Sequence, residues 1–279
     1  MVHALRWSLS LMVLLLLPAC NLPTSKKVTP TADLIATTVS ETLVALPSRT
    51  PPPTQSASPT VAQSTATQPA GETPTSTSSP SPMPSGDPRS WLGTPTKLDT
   101  LDSPQGFGLA GGYEDSAAKI VVSNGAMIMT SYSTVGWRTW RVRPPELSNA
   151  YLEAVFRTTN CVGSDQYGLV FHAPNYDTGF GYYFSVTCDG RYGFSRWDAN
   201  GTSTLVNLTP DTNILSGSGQ VNRLGVMIKG QKIQLYVNGN SVKEVEDAAL
   251  ASGYFGAFIG GFSGNFTVQM EEIAYWLNP

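Results

Sequence analysis

Residues 91–279 of this chain are predicted to fold as an all-β, two-sheet antiparallel β-sandwich, and three observations predict it. Helical periodicity is nearly absent beyond Trp91, and strand-length runs with apolar residues at alternate positions recur instead. Asp189-Gly190 and Asn238-Gly239 each separate two such runs, and a tight hairpin turn demands residues that tolerate positive φ. Glycines number 26 and aromatics make up 10% of the chain, against only 13% charged residues, a balance that suits an extracellular β protein.

Upstream of that part the pattern is different. Arg6 and the amino terminus are positive, residues 9–17 form an apolar run interrupted only by Ser10, and the small Ala19 precedes Cys20. This is the layout of an export signal, too short and wrongly flanked for a spanning helix. The segment Leu17-Pro18-Ala19-Cys20 resembles the lipobox of bacterial lipoproteins. The resemblance implies that the Cys20 thiol is lipidated and becomes the new N-terminus, so that the membrane is engaged through this anchor alone. It places the chain at the bacterial cell surface or extracytoplasmic face. An ordinary export signal or a retained anchor is the alternative. Acyl chains contribute about 0.8 kcal/mol per buried methylene, enough in combination for lasting attachment.

Residues 21–90 are rich in Pro, Thr and Ser and poor in aromatics. Such a segment buries too little apolar surface to offset its ordering entropy, and a disordered linker is expected. It would span about 45 Å as a coil and about 200 Å as extended polyproline II. Residues 33–46 interrupt it with apolar side chains at helical spacing, but their threonines are poor helix formers and no basic face accompanies them. The domains are therefore a signal at 1–20, a linker at 21–90 and a sandwich at 91–279. The sandwich is long enough for one sizeable core.

Within it, strands are expected at 126–132, 151–159, 167–172, 181–187, 192–197, 221–229, 232–237, 241–246, 256–260 and 266–276. The runs Tyr167-Gly168-Leu169-Val170-Phe171-His172 and Gly181-Tyr182-Tyr183-Phe184-Ser185-Val186-Thr187 lead this series. With Asn222-Arg223-Leu224-Gly225-Val226 and Leu235-Tyr236-Val237-Asn238-Gly239, they resemble the concanavalin A-like lectin/glucanase superfamily. The likeness is nearest to the laminin G-like and 3-keto-disaccharide hydrolase-like jelly rolls. It implies two curved sheets, with any ligand on the concave face or its rim loops. It leaves function open, because the superfamily includes lectins, glycosidases and adhesion modules.

With Cys20 assigned to lipid, Cys161 and Cys188 remain, and two cysteines in an exported domain are most simply a disulfide. If 151–159, 167–172 and 181–187 form a meander, the outer two strands lie about 10 Å apart. A disulfide needs Cα atoms within about 7 Å. Cys161 is therefore expected in the loop beyond its strand, curled over the start of the next.

Catalytic chemistry finds little support. Glycosidases of this fold place paired carboxylates on one strand, and no such run occurs; Glu244 and Glu246 read as a solvated face. Glu153, Asp165 and Asp177 would matter only if the fold gathered them into one pocket. Cys and His spacing offers no zinc site, and no cofactor is expected. Calcium at residues 198–202 is a weaker reading of that segment than a hairpin turn. A net charge of −3 without a Lys/Arg run disfavours nucleic acid.

Aromatic and hydrogen-bonding side chains remain. Trp140, Arg157, His172, Tyr183 and Arg196 are the candidate ligand-binding residues, since rings stack on sugar faces while Arg and His bond hydroxyls. The expected function is a membrane-anchored module that binds a glycan or cell-wall polymer. The alternatives are a glycoside hydrolase-like enzyme and an adhesion module with a protein partner. Sequence leaves oligomeric state open.

Overall fold

The structure is a computed structural model that describes residues 83–279. The expected signal with Cys20, the apolar stretch at 33–46 and the linker as far as residue 82 lie outside the described residues.

Fifteen strands follow one another in the described residues. They are β1 (Lys97–Asp99), β2 (Tyr113–Glu114), β3 (Ala118–Ser123), β4 (Ala126–Ser131), β5 (Arg138–Leu147), β6 (Ala150–Thr159), β7 (Gln166–Ala173) and β8 (Gly181–Thr187). Then come β9 (Arg191–Asp198), β10 (Gly201–Pro210), β11 (Val221–Lys229), β12 (Lys232–Val237), β13 (Asn240–Glu246), β14 (Gly253–Gly260) and β15 (Phe266–Leu277). One sheet has nine strands in the order β13-β12-β11-β6-β15-β4-β3-β2, with β1 also paired to β15. The other has six, in the order β10-β9-β8-β7-β14-β5. All pairings are antiparallel, and the predicted two-sheet sandwich is the observed architecture.

Alternation decides what fills the space between the sheets. Leu152, Ala154 and Phe156 of β6 and Leu224, Val226 and Ile228 of β11 point inward from one side. Tyr182, Phe184 and Val186 of β8 meet them from the other, as the sequence pattern predicts. Full burial of each large side chain contributes about 1.5–3 kcal/mol. At the predicted hairpin, Asn238 and Gly239 adopt φ of 50° and 82°. Asn238 does more than turn the chain: its Oδ1 accepts from the Arg223 amide and its Nδ2 donates to the Asn213 carbonyl.

Three features correct the sequence-based picture. Strands β6, β7 and β8 are not a meander, because β6 belongs to the nine-stranded sheet and β7 and β8 to the six-stranded one. Cys161 lies in the crossover between sheets, and its disulfide to Cys188, with Cα atoms 5.2 Å apart, ties that crossover to the end of β8. Strands β1, β2, β3, β5 and β10 fall outside the strands expected from the sequence. Pro144-Pro145 argues against a central strand, yet β5 is an edge, where a missing N–H is tolerated. The Thr/Ser-rich β10 is the opposite edge, with no buried residue.

The third feature is the chain before Trp91. Composition assigns residues 84–90 to the linker, but they turn through a short 3-10 segment (Pro88–Ser90) and pack on the outer face of the nine-stranded sheet. Asp87 is fully buried and paired with Arg223. Arg89 reaches Glu153 at 2.5 Å and also pairs with Glu272. Leu92 packs on the cluster of Tyr151, Met227, Tyr236 and Trp276, and the Trp276 indole N–H donates to the Gly93 carbonyl. Contacts between residue 87 and residue 223 are invisible to local composition.

Candidate functional site

The outer face of the six-stranded sheet is a trough. Strands β5 and β9 are four spacings apart, which in a flat sheet would separate them by about 19 Å. Yet the ring of Trp140 on β5 meets that of Trp197 on β9 edge-on, with centroids 6.0 Å apart. The sheet must therefore curl toward this face. The guanidinium of Arg138, also on β5, spans the same gap and donates to the Ser195 hydroxyl of β9 at 3.3 Å.

Of the candidate ligand-binding residues, the fold brings Trp140 and Tyr183 together on this face and places the other three elsewhere. Tyr183 forms the floor and is fully buried, its hydroxyl donating to the Gly179 carbonyl. Burial pushes its phenol well above the usual range. Trp140 is a wall, held by its indole N–H on the Tyr176 carbonyl. Arg157 sits on the outer face of the other sheet, 2.5 Å from Glu271, because β6 belongs there. Arg196 shares the inward face of β9 with Phe194 and ends at the rim of the sandwich, paired with Asp198 and Asp247. His172 does not share a face with Gly168 and Val170. A register shift against β14 and a φ of 52° break the two-residue period there. Its ring is buried beside Phe171 and Tyr182, with Nδ1 2.8 Å from the Leu250 carbonyl. Burial lowers its pKa below the ordinary histidine value.

Half of the trough is filled. The β7–β8 connection, residues 174–180, folds across it, and Tyr176 stacks on Tyr254 at 4.7 Å. Gly179 has φ of 71°, and a Cβ there would lie 2.6 Å from the Trp140 ring and 2.7 Å from that of Trp197. Only glycine lets this backbone lie against the two indoles.

The other half is open. A groove of about 320 Å³ is lined by Val135, Gly136, Trp137, Arg138, Gln166, Trp197 and Thr202. Trp137 is 58% exposed, while Trp197 is half-buried. The Gln166 amide makes no hydrogen bond to another described side chain. A second hollow of about 450 Å³ continues past Gln166 to Val162, Leu208 and Phe262. Phe262 is held there by the buried Asp165, whose Oδ1 accepts from the Phe262 and Ser263 amides at 2.6 and 2.9 Å. A larger cleft, about 730 Å³, lies on the far side of Trp140. Its cations are already engaged, Arg143 with Asp99 and Arg141 over the Tyr113 ring at 3.8 Å.

The sequence signal for this groove was partly visible. Arg138 lies two residues before Trp140, so alternation alone puts both on one face. Gln166, at the start of β7, and Thr202, on an unanticipated edge strand, carry no such mark.

The acids do not converge. Glu153 is on the outer face of the nine-stranded sheet with Arg89 and Arg223, Asp165 is turned toward the Phe262 loop, and Asp177 is in the connection across the trough. Asp198 caps the Asn200 amide and pairs with Arg196, so residues 198–202 form the β9–β10 turn. Among the described residues no group of three or more His, Cys, Asp or Glu is arranged to hold a metal. No described helix is long and apolar enough to cross a membrane.

No protein-family model and no curated protein matches the chain. Solved structures do resemble it. The carbohydrate-binding module CBM66 from Bacillus subtilis is 16% identical over 52% of this chain and 85% of its own, with a TM-score of 0.42. A protein of unknown function with a galectin-like fold, also from Bacillus subtilis, is 11% identical over 66% of this chain and 96% of its own, with a TM-score of 0.49. The GH43 protein BlXynB from Bacillus licheniformis is 16% identical over 65% of this chain, which spans only 39% of its length, with a TM-score of 0.47.

Proposed function

We propose that this chain is a non-catalytic glycan-binding module, carried outside a bacterial cell on a lipid at Cys20 and a linker that runs to about residue 83. The anchor rests on the Leu17-Pro18-Ala19-Cys20 pattern. Binding rests on one observation: Trp137 and Trp197 offer ring surface at a groove whose other lining groups, Arg138, Gln166 and Thr202, can bond hydroxyls. The dispersal of Glu153, Asp165 and Asp177 supports binding over glycoside hydrolysis, which needs two carboxylates about 5–10 Å apart.

Titration of the full chain against a panel of cell-wall and plant oligosaccharides tests this function. Trp137→Ala should weaken binding of any hit about tenfold. It should change stability by no more than about 0.5 kcal/mol, because the ring is mostly in water. A panel without a hit, or a hit that Trp137→Ala leaves unchanged, sinks the groove as the site.

A protein-binding adhesion module is the second reading. The exposed apolar side chains of Val162, Leu208 and Phe262 around the adjoining hollow favour it. In that case the panel stays blank, and a photocrosslinker at position 262 captures a protein from intact envelopes.

A further inference from the structure

Most arginines of the described residues have an acid partner. Arg89, Arg143, Arg157, Arg191, Arg196 and Arg223 each pair with a carboxylate. Arg138 does not. Its guanidinium lies 5.0 Å from the centroid of the Tyr183 ring and 5.6 Å from that of Phe258. Its one hydrogen bond goes to the neutral Ser195 hydroxyl. A guanidinium has five N–H donors in a planar fork, so most of this one's capacity is unspent. The group is half-buried, and burial pulls its pKa below the ordinary arginine value, which marks a charge held at a cost in solvation.

No carboxylate lines the groove to meet it. Asp165, next to Gln166 in sequence, is fully buried and occupied by the Phe262 and Ser263 amides. Asp177 lies beyond Trp140, in the larger cleft. The trough therefore presents one cation with unspent donors, beside an unengaged amide and exposed indole. Rings hold the cation from beneath, so its open side is the groove.

We infer that the groove selects an anionic saccharide, a pyranose chain bearing a carboxylate or sulfate, with Arg138 as the residue that reads the oxyanion. The inference rests on the glycan-binding function proposed above and narrows its ligand. Arg forks match planar carboxylates and other oxyanions in two-point contacts, about twice as strong as neutral hydrogen bonds.

Calorimetric titration of the full chain with hexagalacturonate, its methyl ester, a sulfated oligogalactan and the unsulfated oligogalactan tests it. An acidic ligand should bind at least about tenfold more tightly than its neutral counterpart, and the preference should shrink in high salt. Which pair shows the preference separates carboxylate from sulfate. Arg138→Gln should remove the preference, weakening the acidic ligand far more than its neutral counterpart, and Arg138→Lys should restore part of it. Should Arg138→Gln unfold the domain, the comparison of acid and ester on the unaltered chain decides by itself. Equal binding of charged and neutral ligands overturns the inference and leaves a neutral-glycan module. An acid preference that survives Arg138→Gln overturns the role of Arg138. No binding in any arm overturns the glycan function as well.

Discussion

The two outer faces of this sandwich handle charge in opposite ways. On the nine-stranded sheet, Arg223 bonds both Asp87 and Glu153, Arg89 bonds Glu153 and Glu272, and the Tyr151 hydroxyl donates to Glu153 at 2.7 Å. Each charge of this network has a partner, and residues 84–93 cover it. On the six-stranded sheet, Arg138 has rings and a hydroxyl but no acid, and exposed indole stands beside it. A face whose polar groups satisfy one another is a finished contact. A face that holds a cation without an acid partner among the described residues keeps hydrogen-bonding capacity unspent.

Breaking the finished face should have the largest effect. Arg223→Ala would leave two carboxylates, Asp87 and Glu153, buried without their shared cation. Loss of about 3–5 kcal/mol in urea denaturation is expected. A loss under about 1 kcal/mol would mean that the network is no more than surface pairing. Removing the crosslink beside the other face comes next. Cys161→Ala with Cys188→Ala releases a loop of sequence separation 27 and should destabilise by about 3.5 kcal/mol in the chain-entropy model. Glycan binding should persist once folding is secured by temperature, since neither cysteine lines the groove.

Gly179→Ala probes the filled half of the trough and should cost about 1–3 kcal/mol through the left-handed φ and the contact with both indoles. The tryptophan emission should shift red as residues 174–180 lift from Trp140 and Trp197. An unshifted spectrum would show that the connection does not seal the rings.

The smallest effect is a pH dependence. His172 has a folded pKa below its unfolded value of 6.5, first because burial disfavours the charged ring. The unfolded chain thus takes up the proton more readily, so stability present above about pH 6.5 is lost as pH falls below it. For Asp87, burial raises the pKa, but hydrogen bonds from Arg223 and the Arg89 amide, with both charges, outweigh it and hold it below 3.8. Its contribution is present above that value and lost as pH falls through the folded pKa. Denaturation midpoints followed from pH 8 to pH 3 should show two declines in this order. His172→Phe should erase the first and leave the second. Its survival would assign it to another group, though His172 is the one histidine among the described residues.

How far the site was legible follows from how each residue is positioned. Trp140 and Tyr183 obey plain alternation within unbroken strands, and their face could be read. His172 obeys no alternation because a register shift intervenes. Arg157 follows the alternation of β6, but that strand joins the nine-stranded sheet, which no local pattern records. Arg196 and Trp197 lie on opposite faces of one strand, and it is Trp197 that lines the groove.

By itself the sequence determined the class of fold, the strands that carry the core and the turns at Asn238-Gly239 and Asp189-Gly190. These are local matters: a two-residue period, side-chain size and tolerance of positive φ act between near neighbours. Only the tertiary structure decided which sheet each strand joins, that residues 84–93 belong to the folded domain, and that Arg138 is left without an acid. Those depend on contacts between residues as distant as 87 and 223, or 138 and 195. Whether two side chains pair or miss is fixed by how strands are ordered and curled, and no local pattern records that.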